Sequence, residues 1–313
     1  MPSSEPTPQT LTNPVARYFL ATRPAFLSAS ALAALLGVAA AAFDGVAVVP
    51  WAAVLTVLGA VVVHGGINVL NDYYDAIGGS DGINAERIFP FTGGSRFIQN
   101  GVLTPRQTAR LGWSLLAAGA VIGLVLAAAA GPGLLAIGLV GLVIGWAYSA
   151  RGVNLAGRGL GEVAVVVGFG LLIPLGADWV QRAAFAWTPL AAGLPFGLLT
   201  LNLLYVNQFP DHRADAAAGK RHWVVILGPR RARWVYGVIG VAAYATLIAA
   251  VAAGTLPLAA LAALAPAWLS LRAFSGLLQF AESPAFLEPA IRRSINALTA
   301  FGVILAGALA LAG

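Results

Sequence analysis

The chain has 313 residues, 59% hydrophobic and only 10% charged, with a formal net charge of +6 and a mean hydropathy of +0.84. Soluble domains carry about 25% charged residues, so this composition excludes an ordinary soluble fold and predicts a polytopic, all-α membrane protein. Cysteine is absent, which excludes disulfides, thiolate nucleophiles and Cys-ligated metals.

The first sixteen residues, MPSSEPTPQTLTNPVA, are polar and rich in Pro, Ser and Thr, and predict a disordered tail. They lack the basic start and small-residue cleavage pattern of a secretory signal peptide. Residues 17–313 then read as a single transmembrane domain. A membrane helix needs about 20 mostly apolar residues. Nine such spans are predicted, at 20–43, 49–71, 107–130, 133–150, 160–179, 187–209, 233–253, 257–280 and 291–312. Most joints are tight, but the connections 72–106 and 210–232 are long.

Basic residues set the orientation. With the N-terminus in the cytoplasm, every lysine and arginine except Arg182 falls at or near the cytoplasmic side. This pattern accounts for the positive charge without a nucleic-acid partner, and places both long loops on the cytoplasmic side of the lipid bilayer. The Ala- and Arg-rich composition is associated with GC-rich bacterial genomes, so a bacterial inner membrane is the expected location.

Each long loop follows a span that ends in Asn and Asp: NVLNDYYD at 68–75 and NQFPDHRAD at 207–215. On a helix, Asn68, Asn71, Asp72 and Asp75 share an arc of about 100°. Asn207, Asp211 and Asp215 form a second stripe at i, i+4 and i+8, with Pro210 able to bend it. An aspartate at the centre of a span costs about 2.5–3.5 kcal/mol, and less near its end. Acids facing one cavity also repel one another, so something cationic must compensate.

Carboxylates with amide oxygens select hard divalent cations. Magnesium characteristically combines one or two carboxylates with waters and substrate phosphates. Two facing stripes can therefore hold two Mg2+ ions with a diphosphate between them. Arg87, Arg96, Lys220 and Arg221 would complete its neutralisation, and the glycines of GGSDG and TGGSR would let backbone N–H groups approach the anion.

Other polar residues have less specific readings. Glu162 and Asn202 lie deeper, as internal hydrogen-bonding groups or as cavity lining. His64 reads as a packed core histidine, His212 and His222 as loop residues. No H-E-x-x-H or similar zinc spacing occurs. An ion-coupled transporter would also bury acids, but here they cluster at one face rather than along a path through the spans.

These motifs resemble the UbiA superfamily of intramembrane prenyltransferases. The resemblance implies nine transmembrane helices around a central cavity, and transfer of a prenyl group from a polyprenyl diphosphate to an aromatic or other acceptor. By motif position it implies Asn71, Asp72, Asp75 and Asp81 around one Mg2+, and Asn207, Asp211 and Asp215 around the other. Lys220 and Arg221 would contact the diphosphate, with Asn68 on the same face.

Within the superfamily, the D-x5-D spacing from Asp75 to Asp81, GKRHWVVILG at 219–228 and YSARGVNLAGRGLGE at 148–162 are similar to the 1,4-dihydroxy-2-naphthoate polyprenyltransferases of menaquinone synthesis. That branch implies replacement of the acceptor carboxylate with loss of carbon dioxide. RIFPFTGGSR and the stretch after Ser149 depart from the branch, so 4-hydroxybenzoate and homogentisate stay open as acceptors. For the allylic cation that such chemistry generates, Tyr148 is the first candidate to offer a π face and Tyr205 the second.

Overall fold

In this computed structural model residues 5–313 are described, and among them the fold is entirely helical. A short helix α1 (Pro14–Ala21) precedes α2 (Pro24–Phe43), α3 (Pro50–Gly78), the single turn α4 (Ser80–Ile83), α5 (Pro105–Ala130) and α6 (Gly133–Ser149). The second half contains α7 (Gly161–Arg182), α8 (Thr188–Ala217), the short α9 (Trp223–Leu227), α10 (Pro229–Ala252), α11 (Leu258–Phe280) and α12 (Glu288–Ala312). Eight of these helices are long and apolar enough to cross a membrane. The ninth, α6, has 17 residues and sits where the fourth span is predicted. Each of the nine predicted spans is thus a helix.

The helix starts are written in the sequence. Proline occupies the first position of α1, α2, α3, α5 and α10, where its missing N–H costs nothing and its fixed φ suits the helix. Thr104 and Gln107 close a capping box on α5. Helix α7 is irregular: residues Val166–Leu172 wind as a π-helix just before Pro174. Proline cannot supply an amide hydrogen and its ring crowds the previous turn, so the ladder shifts register.

Helix α8 is the axis of the bundle, and Tyr205, Phe196 and Phe209 on it are fully enclosed. With Tyr236, Phe301, Leu305 and Ile291 they pack one half of the molecule solid. Small residues permit the closest approach. A Cβ on Gly193 of α8 would lie 2.2 Å from the Gly170 carbonyl of α7, so only glycine fits there. The other half, built from α2, α3, α5, α6 and α7 with one face of α8, closes around a cavity, with a small apolar cluster that includes Ala52, Leu126 and Val180.

Residues 5–13 lie against the loop that joins α4 to α5: Pro6 is buried, and Leu11 packs on a cluster that includes Phe97, Val102 and Leu103. The physical reason is a carboxylate, Glu5, that meets two arginines of that loop. Residues 1–4 of the predicted tail lie outside the described residues.

Candidate active site

The cavity holds about 740 Å3. Its walls are mostly apolar, from Ile67, Phe169 and Leu172 down to Leu126, Leu134 and Val180. Its charged groups gather at one end. Asn68, Asn71, Asp75 and Asp81 line that end from one side, and Asn207, Asp211, Asp215 and Lys220 from the other. Both acidic stripes therefore meet at one mouth, because α3 and α8 run past the cavity and end at the same side of the bundle.

Lys220 joins the two stripes, and Asn84 ties the loop after the first to the second. Lys220 Nζ sits 2.9 Å from Asp75 Oδ1 and 3.0 Å from Asp215 Oδ1. The Asn84 side chain donates a 2.6 Å hydrogen bond to Asp211 Oδ1. The glycine turn at 93–95 adds backbone donors: Gly93 N–H to Asp211 Oδ2 at 3.2 Å and Ser95 N–H to Asp72 Oδ2 at 3.1 Å. Gly94 has φ +75° and presses against both Asp81 and Asp72; a Cβ there would lie 2.6 Å from Asp81 Oδ2. Only glycine combines that conformation with that proximity.

The charges respond to burial and to one another. Burial, and then the neighbouring Asp75 and Asp72, push the Asp81 carboxyl up to about 8. Burial works against the Lys220 ammonium, but Asp75 and Asp215 outweigh it and hold its pKa well above the ordinary lysine value. The same balance, with Asp72 and Asp81 as partners, raises the Arg23 pKa.

Several predicted residues lie elsewhere. Arg87 and Arg96 do not line the cavity; their guanidinium groups are taken up by Glu5 and by loop carbonyls. Arg221 is exposed and does not line the cavity, and its backbone N–H donates to the Gly157 carbonyl. Asp72 is buried behind the cavity lining, 3.3 Å from Arg23 Nη2. Tyr148 lines the cavity, whereas Tyr205 is sealed in the core beside Phe209 and Trp223. Glu162 is an internal group: its Oε1 accepts from Gln208 at 3.1 Å and from the Trp223 N–H at 2.8 Å. Asn202 is buried outside the cavity. His64 is not part of a packed core but lines the cavity, 3.2 Å from Ser30 Oγ.

Three contributors escaped the sequence reading. Arg23 lines the mouth from a left-handed backbone (φ 58°) between α1 and α2. Its signal was a lone arginine between two apolar runs. Asn84 belongs to the loop after the first motif, and only its position beside Asp211 reveals it. His222 caps α9 and places Nε2 3.3 Å from Asp215 Oδ2. Its signal was the His two residues after Lys220.

The donor set suits a hard divalent cation. Carboxylate and amide oxygens converge on one mouth, and Asn207 Oδ1 is buried there without a hydrogen-bond partner. Among the described residues no three His, Asp or Glu side chains form a ready-made metal cage.

Comparison with known proteins decides the family. Residues 30–285 match the UbiA prenyltransferase family. The chain belongs to that family. A 1,4-dihydroxy-2-naphthoate octaprenyltransferase from Mycobacterium tuberculosis is 32% identical, over 94% of this chain and 97% of its own length. A UbiA homologue from Aeropyrum pernix superposes with a TM-score of 0.63 at 19% identity, over 88% of this chain and 96% of that one. A UbiA homologue from Archaeoglobus fulgidus, bound to GPP and Mg2+, superposes with a TM-score of 0.56 at 15% identity, over 92% of this chain and 99% of that one. The all-helical bundle of this UbiA family member is thus that of its structural neighbours, and the chain is a multi-pass membrane prenyltransferase.

Proposed function

We propose that this protein transfers a polyprenyl group from a polyprenyl diphosphate to 1,4-dihydroxy-2-naphthoate, with magnesium, in menaquinone synthesis. The observation that carries this reading is the meeting of both acidic stripes, bridged by Lys220, at the mouth of an apolar cavity. Support for the acceptor comes from the mycobacterial relative, and support for magnesium from the Archaeoglobus homologue.

Asn71, Asp75 and Asp81 would hold one magnesium ion with Asp72 just behind them, and Asn207, Asp211 and Asp215 the other. When bound, magnesium neutralises the diphosphate oxygens as the leaving group gains charge. Lys220 and Arg23 add fixed positive charge at the same mouth. The bond between prenyl C1 and the diphosphate oxygen breaks, and the oxygen keeps the electron pair. The resulting allylic cation lies below the acids, among Ile67, Phe169 and Tyr148, where apolar walls exclude water. The Tyr148 π face stabilises the cation. The naphthoate ring carbon then forms the new C–C bond and its carboxylate leaves as carbon dioxide.

The tail has a route out. Leu124 and Leu139 both line the cavity and are exposed on the outer surface, so the wall between α5 and α6 opens sideways toward lipid. The distribution of basic residues supports an orientation with the N-terminus and the acidic mouth on the cytoplasmic side of the membrane, and the mycobacterial relative supports a bacterial plasma membrane as that membrane.

The test incubates purified protein with magnesium, a polyprenyl diphosphate and a panel of aromatic acceptors, and identifies products by mass. The expected product is a decarboxylated prenyl naphthoquinol. A product only with 4-hydroxybenzoate or homogentisate would transfer the reading to that acceptor.

A further inference from the structure

The N-terminal tail reaches the site through a short chain of contacts. Glu5 Oε1 accepts a 2.6 Å hydrogen bond from Arg87 Nε, and Oε2 accepts one of 3.1 Å from Asn100. Arg96 Nε lies 3.8 Å from Oε2. Asn100 also donates to the Pro6 carbonyl at 3.0 Å, and Arg17 reaches back to the Pro8 carbonyl at 3.3 Å. The tail is thus fastened at several points to the loop between α4 and α5.

The two arginines face inward as well. Arg87 donates to the Asn84 carbonyl and Arg96 to the Asp81 carbonyl. Arg96 is 7% exposed and holds a left-handed backbone (φ 66°), so the loop needs tertiary contacts to keep it in that conformation. From the same loop Asn84 and Gly93 bind Asp211, and Ser95 binds Asp72. One carboxylate therefore sits behind a pair of like-charged guanidinium groups, and these groups hold the backbone that holds the acids.

Burial disfavours ionised Glu5, but the hydrogen bonds from Arg87 and Asn100 and the charges of Arg87 and Arg96 outweigh it. The net effect holds its carboxyl below the ordinary glutamate value. No residue from 5 to 13 lines the cavity, and neither arginine does, so the tail does not block the entrance. This geometry favours support of the site over self-inhibition.

We propose that Glu5 is a positioning residue: by pinning Arg87 and Arg96 it fixes the 81–95 loop so that Asp72, Asp81 and Asp211 stand ready for the metal-bound diphosphate. The role toward metal and diphosphate rests on the proposed function; the ordering of the loop does not.

The test compares wild type with Glu5→Gln and Glu5→Asp in detergent, without added metal, by hydrogen exchange over residues 81–100. A charge-assisted hydrogen bond is worth enough that its loss speeds local opening by about tenfold. Exchange is expected to rise by about that factor in Glu5→Gln, to recover partly in Glu5→Asp, and to be unchanged in α10 and α12. In transfer assays, the magnesium and donor concentrations for half-maximal rate should rise by about tenfold in Glu5→Gln, with the acceptor KM unchanged. Unchanged loop exchange in Glu5→Gln overturns the proposal, as does faster transfer, which would identify an inhibitory strap. Rapid exchange throughout the bundle also overturns it, because Glu5 would then serve global stability. Wild-type protein that shows the exchange pattern but transfers no prenyl group refutes the functional reading and leaves the loop-ordering role standing.

Discussion

The ammonium of Lys220 lies 2.9 Å from Asp75 Oδ1, joining the loop after α8 to the last turns of α3. The same nitrogen reaches Asp215 at 3.0 Å, so one cation ties together two acidic rows that are far apart in sequence. Removing one partner of a buried charge cluster leaves the others uncompensated.

Lys220→Ala is accordingly expected to lower kcat/KM for the diphosphate donor by about 100-fold, the scale of losing one preorganised charge at a developing anion. Lys220→Arg keeps the charge but not the compact ammonium, and should recover part of the loss. Steady-state kinetics with varied donor check both. Wild-type donor kinetics in Lys220→Ala would remove this residue from the site.

Gly94→Ala should be more damaging than its size implies. The added methyl meets Asp81 Oδ2 at 2.6 Å, on a backbone at φ +75°. The left-handed conformation alone costs a non-glycine residue about 1–2 kcal/mol. Transfer activity is expected to fall by more than about tenfold, with the bundle still folded by circular dichroism. Activity equal to wild type would show that the turn can relax.

Tyr148 offers a graded test of cation stabilisation. A desolvated cation–π contact is worth about 2 kcal/mol, or about 30-fold in rate. Tyr148→Leu should slow single-turnover transfer by roughly that factor, while Tyr148→Phe, which keeps the π face, should slow it less. Equal effects of the two changes would assign Tyr148 a packing role only.

The depressed pKa of Glu5 fixes the sign of a pH effect. A carboxyl with a folded-state value below its unfolded value contributes stability above the unfolded pKa, and loses it as pH falls through the folded one. Arg87, Arg96 and Asn100 face this carboxyl. The difference in melting temperature between wild type and Glu5→Gln should therefore be constant at neutral pH and shrink below about pH 4.5. A difference that grows on acidification would contradict the pairing.

The spans and the acid rows were legible because each breaks a simple expectation. Long apolar runs separated by basic loops define spans, and carboxylates at their ends stand out against the hydrophobic background. The partners of the arginines were not legible. Arg87 and Arg96 looked like free cations beside a motif, but Glu5, 82 residues upstream of Arg87, takes up that charge. Counting charge in a loop cannot reveal a neutraliser that only tertiary folding brings near. Arg23 was hidden for the converse reason: it neighbours neither motif in sequence, and reaches Asp72 because α2 packs on α3. The π-helical stretch of α7 also lay below the resolution of hydropathy, although Pro174 marks its end. Tyr148 and Tyr205 occupy equivalent-looking positions near span ends, and only packing separates the cavity-lining ring from the buried one.

The most direct test of the central claim is the binding of a non-reactive thiodiphosphate analogue of the prenyl donor, by calorimetry, with and without magnesium. Wild-type protein should bind it tightly only with magnesium. Asp72→Ala and Asp211→Ala should each lose most of that magnesium-dependent affinity while retaining the helical fold, because both rows act on one diphosphate. Tight binding without magnesium, or full affinity in either variant, would contradict the account.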